Sequence, residues 1–413
     1  MIKVKKLPKI KDIKENEIYE IDTTNVAYFT HSFFKYPAKF IPQIPNWAIT
    51  NFTNVNDIVL DCFCGSGTTL VESSLNNRKP LGVDFDKISL LLSSVKTTKL
   101  NKSDFKVIKN SLKSFDYKNY QNRDLPDFKN IEYWFPEKNI YVLNGLYYFI
   151  NNLNITDKIK NFLLVCYIST IRKSSYSEEL SPKPYISSKY KKTPKETFTL
   201  FKNVIEDYFN KINDENYRLE FASEFIGNDA RNFDCPQYYN KIKLVCSSPP
   251  YINAFDYVRV LRLENVWLRN INDSNIINHK KNQIGTEQIY SSEYNSTPNK
   301  IGLKELDDKI EKLYGIDKKR SHVVFKYFVD MEKNIKNIGN YLTDDGYYII
   351  VVGDCKIRDI DFPTYKYFIE LAKRNDYSDT FVFSYVIKNP YLRIPRKDRG
   401  GLIKYDRVVI LKK

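Results

Sequence analysis

Ile58-Val59-Leu60-Asp61-Cys62-Phe63-Cys64-Gly65-Ser66-Gly67-Thr68-Thr69-Leu70-Val71 is the stretch that decides how this 413-residue chain folds. An apolar run enters a turn punctuated by glycine, and a helical pattern through Leu75 follows, so the segment reads as strand, tight turn, helix. Gly65 and Gly67 let the backbone turn sharply and approach a ligand with no Cβ in the way. The helix beginning near Thr68 offers free N–H groups to an anionic group. A dinucleotide fingerprint wants Gly or Ala where Leu70 stands, and a phosphate loop wants Gly-Lys-Ser/Thr. Neither pattern is present. Leu81-Gly82-Val83-Asp84 is the next strand, ending in an acid about seventeen residues after Gly67, near the spacing at which a carboxylate reaches ribose hydroxyls. Taken alone, the glycine turn and Asp84 read first as a generic α/β turn and the cap of the following helix.

Far downstream, Ser248-Pro249-Pro250-Tyr251 follows a second apolar run, Ile242-Lys243-Leu244-Val245-Cys246, and so belongs at the carboxyl end of another strand of the same sheet. With the glycine turn, this tetrad resembles the site-specific DNA methyltransferases that modify exocyclic amino groups. The resemblance touches residues 28 to 98, 220 to 270 and, as strand pattern only, 345 to 412. It implies S-adenosylmethionine as cofactor. Asp61, Phe63, Gly65, Gly67 and Thr68 stand where that family binds the methionine part, and Asp84 where it holds the ribose. Asp229, in Glu224-Phe225-Ile226-Gly227-Asn228-Asp229, stands near the adenine amine. Lys39, in His31-Ser32-Phe33-Phe34-Lys35-Tyr36-Pro37-Ala38-Lys39, stands beside the methionine end.

The chemistry asks for such residues. The amine of cytosine or adenine has its lone pair drawn into the ring, so hydrogen-bond acceptors must make it more nucleophilic and aim it in line at the methyl group. In the family reading the Ser248 hydroxyl and the Pro249 carbonyl accept the amine hydrogens, and Pro249 and Pro250 hold that carbonyl rigidly. Tyr251 stacks on a base rotated out of the duplex. Ring-carbon methylation of cytosine uses a cysteine, usually in a Pro-Cys pair, and no Pro-Cys occurs in the chain. Serine at the first tetrad position is the family's tendency for cytosine N4, with adenine N6 as the alternative. An RNA amine methyltransferase and a non-catalytic DNA-binding relative are further readings. A serine-hydrolase reading of Ser248 fails for want of a Gly-x-Ser-x-Gly elbow.

Net charge is +15 with 28% charged residues, which suits a polyanionic partner such as double-stranded DNA. Heavy use of Asn, Ile, Lys and Tyr also points to a biased genome, so charge alone carries little. A cognate restriction endonuclease is a candidate partner. No apolar run reaches membrane-spanning length and the lysine-rich start lacks a signal-peptide centre, so a cytoplasmic enzyme is expected. The six cysteines lack Cys-x-x-Cys spacing, which predicts free thiols and no metal.

These features predict an α/β fold: a Rossmann-like methyltransferase sheet, mostly parallel with an antiparallel strand at one edge, and a helical insertion. Residues 1–98 form an arm and the cofactor half. Residues 99–220 read as helical, with helices over Glu137 to Leu153, Asp157 to Arg172 and Thr193 to Ile212, too long for a sheet connection. Residues 221–270 carry the catalytic loop, 271–320 an irregular segment for target recognition, and 321–413 the closing strands. Helices are expected over His322 to Leu342 and Pro363 to Arg374, and strands over 346 to 353, 380 to 388 and 402 to 411, the last two an antiparallel edge pair. Arg172, Lys173, Arg259, Arg262 and Arg396 are candidate DNA contacts. Arg259 and Arg262 read equally as local partners of Asp256 or Glu264.

Overall fold

A computed structural model describes residues 1–252, 256–272, 274–294, 298–388 and 403–413. Its strands are β1 (Ile2–Val4), β2 (Ile18–Ile21), β3 (Ile58–Asp61), β4 (Lys79–Val83), β5 (Glu224–Gly227), β6 (Ile242–Ser247), β7 (Leu342–Gly353), β8 (Cys355–Ile357), β9 (Ile360–Phe362), β10 (Asp379–Val386) and β11 (Tyr405–Lys412). Nine of them form one sheet in the order β1-β2-β10-β11-β7-β6-β3-β4-β5, and β8 and β9 make a small hairpin. Every neighbouring pair in the large sheet is parallel except the two that involve β11. The central strands are apolar on both faces, as sheets covered on both sides must be: Ile349 to Val352 and Leu244 to Cys246 are all buried.

The order of strands fixes where a ligand binds. From β3 the chain moves outward through β4 and β5, then returns to the other side of β3 as β6 and continues to β7. The reversal lies between β3 and β6, and the crevice at their carboxyl ends is where open α/β sheets bind ligands. Leu60 pairs with Val245 across that junction. The glycine turn and the Ser-Pro-Pro-Tyr loop therefore leave adjacent strands in the same direction.

Helices Glu137–Asn152, Asp157–Ile171 and Thr197–Ile212 pack with helix Lys87–Lys96 in one core that also takes in Leu263, Val266 and Trp267. Their apolar faces account for this: Leu143, Phe162 and Phe201 have no exposed surface. Helix Gln43–Phe52 and the N-terminal arm cover one face of the sheet through Trp47, Ile49, Val351 and Phe383. Helix Lys318–Gly339 covers the other through Phe328, Met331 and Ile335.

Three details differ from the sequence reading. The antiparallel pair β10–β11 forms, but β1 and β2 continue the sheet beyond β10, so the lysine-rich arm is part of the fold. Within the stretch read as irregular, Lys304–Ile316 is a helix whose Leu306, Ile310 and Leu313 are buried against the long helix that follows. That long helix starts at Lys318, and β7 starts at Leu342 where helix was expected to continue.

Candidate functional site

The two loops meet. A cleft of about 760 Å³, counting the space open to solvent at its mouth, is lined by Phe63, Cys64, Gly65, Ser66 and Thr68 from the turn after β3, by Asp84 and Phe85 after β4, and by Asp229 and Ala230 after β5. Ser248 and Pro250 after β6, Lys39 and Tyr36 from the segment before the first helix, Tyr257, and residues 282–284 complete the wall.

Packing dictates the shape of the glycine turn. Gly67 has φ +77°, and a Cβ there would lie 2.9 Å from Ser93 Oγ and 3.0 Å from Ser93 Cα, so only glycine lets the loop sit down on helix Lys87–Lys96. The Lys96 ammonium, buried on that helix, donates to the Ser66 carbonyl at 2.8 Å and holds the turn from below. Burial drives its pKa well below the ordinary lysine range, and nearby Lys39 adds to the effect.

A second brace joins the turn to the strand that leads into the Ser-Pro-Pro-Tyr loop. The Ser247 hydroxyl donates to Asp61 Oδ1 at 2.6 Å and accepts the Cys62 N–H at 2.8 Å. Asp61 is 1% exposed, and burial pushes its carboxyl up to about 6 against the lowering effect of the Ser247 hydroxyl. Asp61 and Gly67, read from the sequence as cofactor contacts, are thus absent from the cleft wall. They shape the loop that forms it.

Asp84 stands at the centre of the wall. Oδ2 accepts the Gly65 N–H at 2.7 Å and Oδ1 the Asp86 N–H at 2.9 Å, leaving a second lone pair on each oxygen for a ligand. Burial pushes its pKa up to about 7. The expectation that Asp84 caps the next helix is not met: Asp86 does so, accepting the Ile88 N–H at 2.7 Å. Asp229 also faces the cleft. Burial works to raise its carboxyl, but hydrogen bonds from Arg231 at 2.7 and 2.8 Å outweigh that and hold it below the usual range, so it stays ionised.

The segment before helix Gln43–Phe52 is held on helix Thr68–Leu75 by buried Glu72, which takes His31 Nε2 at 2.7 Å, the Asn46 amide at 2.7 Å and the Tyr28 hydroxyl. This fixes Lys39, whose ammonium donates to the His31 carbonyl at 2.7 Å. Lys39 keeps solvent access, yet surrounding protein atoms bring its pKa down to about 8.

Within the tetrad, Ser248 and Pro250 reach the cleft and Pro249 is buried behind it. Tyr251 is not in the wall. Its hydroxyl donates to Asp406 Oδ1 at 2.7 Å, Tyr385 donates to Oδ2 of the same carboxyl at 2.8 Å, and its ring lies so close to Gly353 that a Cβ there would come within 2.8 Å of Cε2. The ring is tied to β11 at the end of β7.

Four aromatic residues in the wall, Phe40 among them, were missed from the sequence. Tyr36 bonds Ser89 Oγ at 2.8 Å and lies against Gly65, Tyr257 lies near-parallel to it at 6.5 Å between ring centroids, and Phe85 follows Asp84 directly. Phe85 had a signal, its place one residue past the strand-ending acid. Tyr257 lies beyond the tetrad with no spacing to mark it.

The basic candidates fall elsewhere. Arg172 is committed to structure: it donates to the carbonyls of Ser181, Pro182 and Val260 and sits 3.8 Å from buried Glu264. Lys173 is half-buried, with its carbonyl accepting the Lys195 N–H. Arg262 lies over the Phe128 ring at 5.0 Å, whereas Arg259 is exposed. Asp256 pairs with Lys280 at 2.6 Å and accepts the Arg259 N–H, and Glu264 lies 3.8 Å from Arg172. Arg396 lies outside the described residues, as do the neighbouring Arg393, Lys397 and Arg399. Among the described residues no cluster of three His, Cys, Asp or Glu is placed to hold a metal, no disulfide forms, and no helix is long and apolar enough to cross a membrane.

The DNA methylase family model matches residues 3–94, the part that carries the glycine turn and Asp84. Over 94% of this chain and 90% of its own length, the type II methyltransferase M.MvaI of Kocuria varians is 27% identical. The type II methyltransferase M.MjaII of Methanocaldococcus jannaschii is 38% identical over 69 residues, 17% of this chain and 13% of that protein. The orphan methyltransferase M.BamHII of Bacillus amyloliquefaciens is 43% identical over 54 residues, 13% of this chain and 20% of its own.

Proposed function

We propose that this chain, a DNA amino-methyltransferase by its DNA methylase match and its similarity from end to end to a type II methyltransferase, methylates the exocyclic N4 of cytosine in a specific double-stranded DNA sequence. The observation that carries this reading is the shared cleft, in which the turn at Gly65 and the tetrad at Ser248 face the same space.

The residues fit S-adenosylmethionine. Asp84 offers acceptors to ribose hydroxyls, Asp229 to an adenine amine, Phe63 and Phe85 offer faces to a planar ring, and Lys39 and Thr68 are polar groups for the methionine end. The cofactor supplies a methyl group on a positively charged sulfur. What the chain adds is position and hydrogen-bond acceptors for the amine. Ser248, in the wall, accepts a hydrogen bond from the target amine, and the buried Pro249 holds its own carbonyl as a second acceptor. Base pairing occupies the amine inside a duplex, so the target base is extruded into the cleft before transfer.

Cysteine chemistry is opposed by the surroundings. Cys62 and Cys64 border the cleft, but burial pushes Cys62 up to about 11 and Cys64 well above the ordinary thiol range, so neither supplies the thiolate that ring-carbon methylation needs. Ser248 favours cytosine N4 over adenine N6. We assign the enzyme to the cytoplasm and to a restriction–modification system with a cognate endonuclease, on the likeness to type II methyltransferases. Incubation with S-adenosylmethionine and unmodified plasmid DNA, digestion to nucleosides and mass spectrometry test the proposal. N4-methylcytosine is expected. N6-methyladenine overturns the choice of base, and transfer to RNA alone or to nothing overturns the activity.

A further inference from the structure

We propose that Leu180 is the wedge that enters the DNA stack and fills the gap left by the extruded base, an inference that rests on the DNA-methylating reading above. A single exposed leucine is ordinary on a protein surface. Leu180 differs in being 86% exposed on a loop pinned on both of its sides. On one side the Lys35 ammonium donates to the Glu179 carbonyl at 2.9 Å, and Lys192 pairs with the Glu179 carboxylate at 3.1 Å. On the other side the Arg172 guanidinium donates to the carbonyls of Ser181 at 3.0 Å and Pro182 at 3.2 Å. Lys192 also donates to the carbonyls of Arg172 and Ser177, and the Glu178 N–H bonds the Tyr185 carbonyl, closing the loop on itself. Three cations thus grip the backbone, and the leucine is held out into solvent where it cannot fold back.

The grip runs to the cleft. Lys35 precedes Tyr36, a wall residue, and Arg172 donates through its other nitrogen to the Val260 carbonyl at 2.7 Å, three residues beyond the wall residue Tyr257. The protruding side chain is therefore built on the same two segments that bound the space receiving the base. Exposed Lys189 and Lys191 follow on the same loop as phosphate contacts. Proteins that unstack DNA use an apolar side chain of this kind, and a stiff mount is what lets it displace a base rather than yield.

The test begins by finding the sequence that the wild-type chain modifies in plasmid DNA. Oligonucleotide duplexes carrying that sequence are then compared with either the matched or a mismatched base opposite the target. Leu180→Ala is expected to lower kcat on the matched duplex about tenfold or more, because unstacking then goes uncompensated. KM for S-adenosylmethionine should stay in place, and on the mismatched duplex, where the target is already loosened, the variant should recover to within about twofold of wild type. Leu180→Met should retain wild-type rates on both. Equal losses on the two duplexes, or no loss on either, overturn the wedge while leaving the activity standing. A wild-type chain that transfers nothing to DNA overturns both.

Discussion

Replacing Asp84 by asparagine should make the free protein more stable and the cofactor weaker, with a pH dependence that identifies the cause. Burial raises the Asp84 carboxyl from 3.8 to about 7, so between those values the folded chain holds a proton that the unfolded chain has released. Stability of the wild type therefore falls as pH rises through that window and levels off above it. At about 1.36 kcal/mol per unit, the full cost above pH 7 is roughly 4 kcal/mol, an upper bound because the side chain is only half-buried. Asparagine removes that cost but keeps one acceptor for the two N–H groups of Gly65 and Asp86, a loss of about 1–3 kcal/mol. The net expectation is a gain of roughly 1–3 kcal/mol at pH 8 that shrinks to about zero at pH 5. Urea denaturation of both proteins without cofactor, from pH 5 to 8, reads this directly. Calorimetry at pH 8 should show S-adenosylmethionine binding weakened roughly 10- to 100-fold, the worth of hydrogen bonds to a charged group. A stability difference that does not change with pH would refute the burial argument, and unchanged affinity would remove Asp84 from the ribose site.

Ser248→Ala should lower the single-turnover methyl-transfer rate roughly 100-fold while cofactor affinity holds, because only the acceptor for the amine hydrogen is lost; an unchanged rate would discard that role. Gly67→Ala forces a Cβ to within 3.0 Å of Ser93 backbone at φ +77°, so about 1–3 kcal/mol of stability and much of the cofactor affinity should go together, measured by thermal melting and calorimetry. Arg172→Ala leaves buried Glu264 without its cation, which should cost roughly 3 kcal/mol in a melt while the salt dependence of DNA binding keeps its slope. A reduced slope with unchanged stability would return Arg172 to the DNA surface.

Much of this was written in local sequence. Strand, glycine turn, helix and strand-ending acid follow one another within residues 58–84, each marked by apolar spacing, glycine or an acid at short range, so pattern alone located them. The helices from 137 to 212 were equally plain, because their apolar spacing matches a buried face. What pattern could not reach was the partner of each charge. Arg172 looks like a phosphate contact until the fold brings Val260 and Glu264 to it, and Tyr251 looks free to stack until Asp406 arrives from 155 positions away. Helix Lys304–Ile316 was a different failure. Leu306, Ile310 and Leu313 do repeat at helical spacing, but the polar residues around them masked a narrow apolar stripe. The arm strands β1 and β2 are three and four residues long, too short for alternation to stand out from lysine-rich coil.

The connection between β4 and β5 leaves and rejoins the sheet without altering which strands are neighbours, and everything that braces Leu180 except Lys35 and Val260 lies on it. In the reading proposed above, chemistry and duplex handling occupy separate stretches of polypeptide that share one apolar core. Substitutions in the loop that carries Leu180 can then change how a duplex is met while the crevice keeps its dimensions.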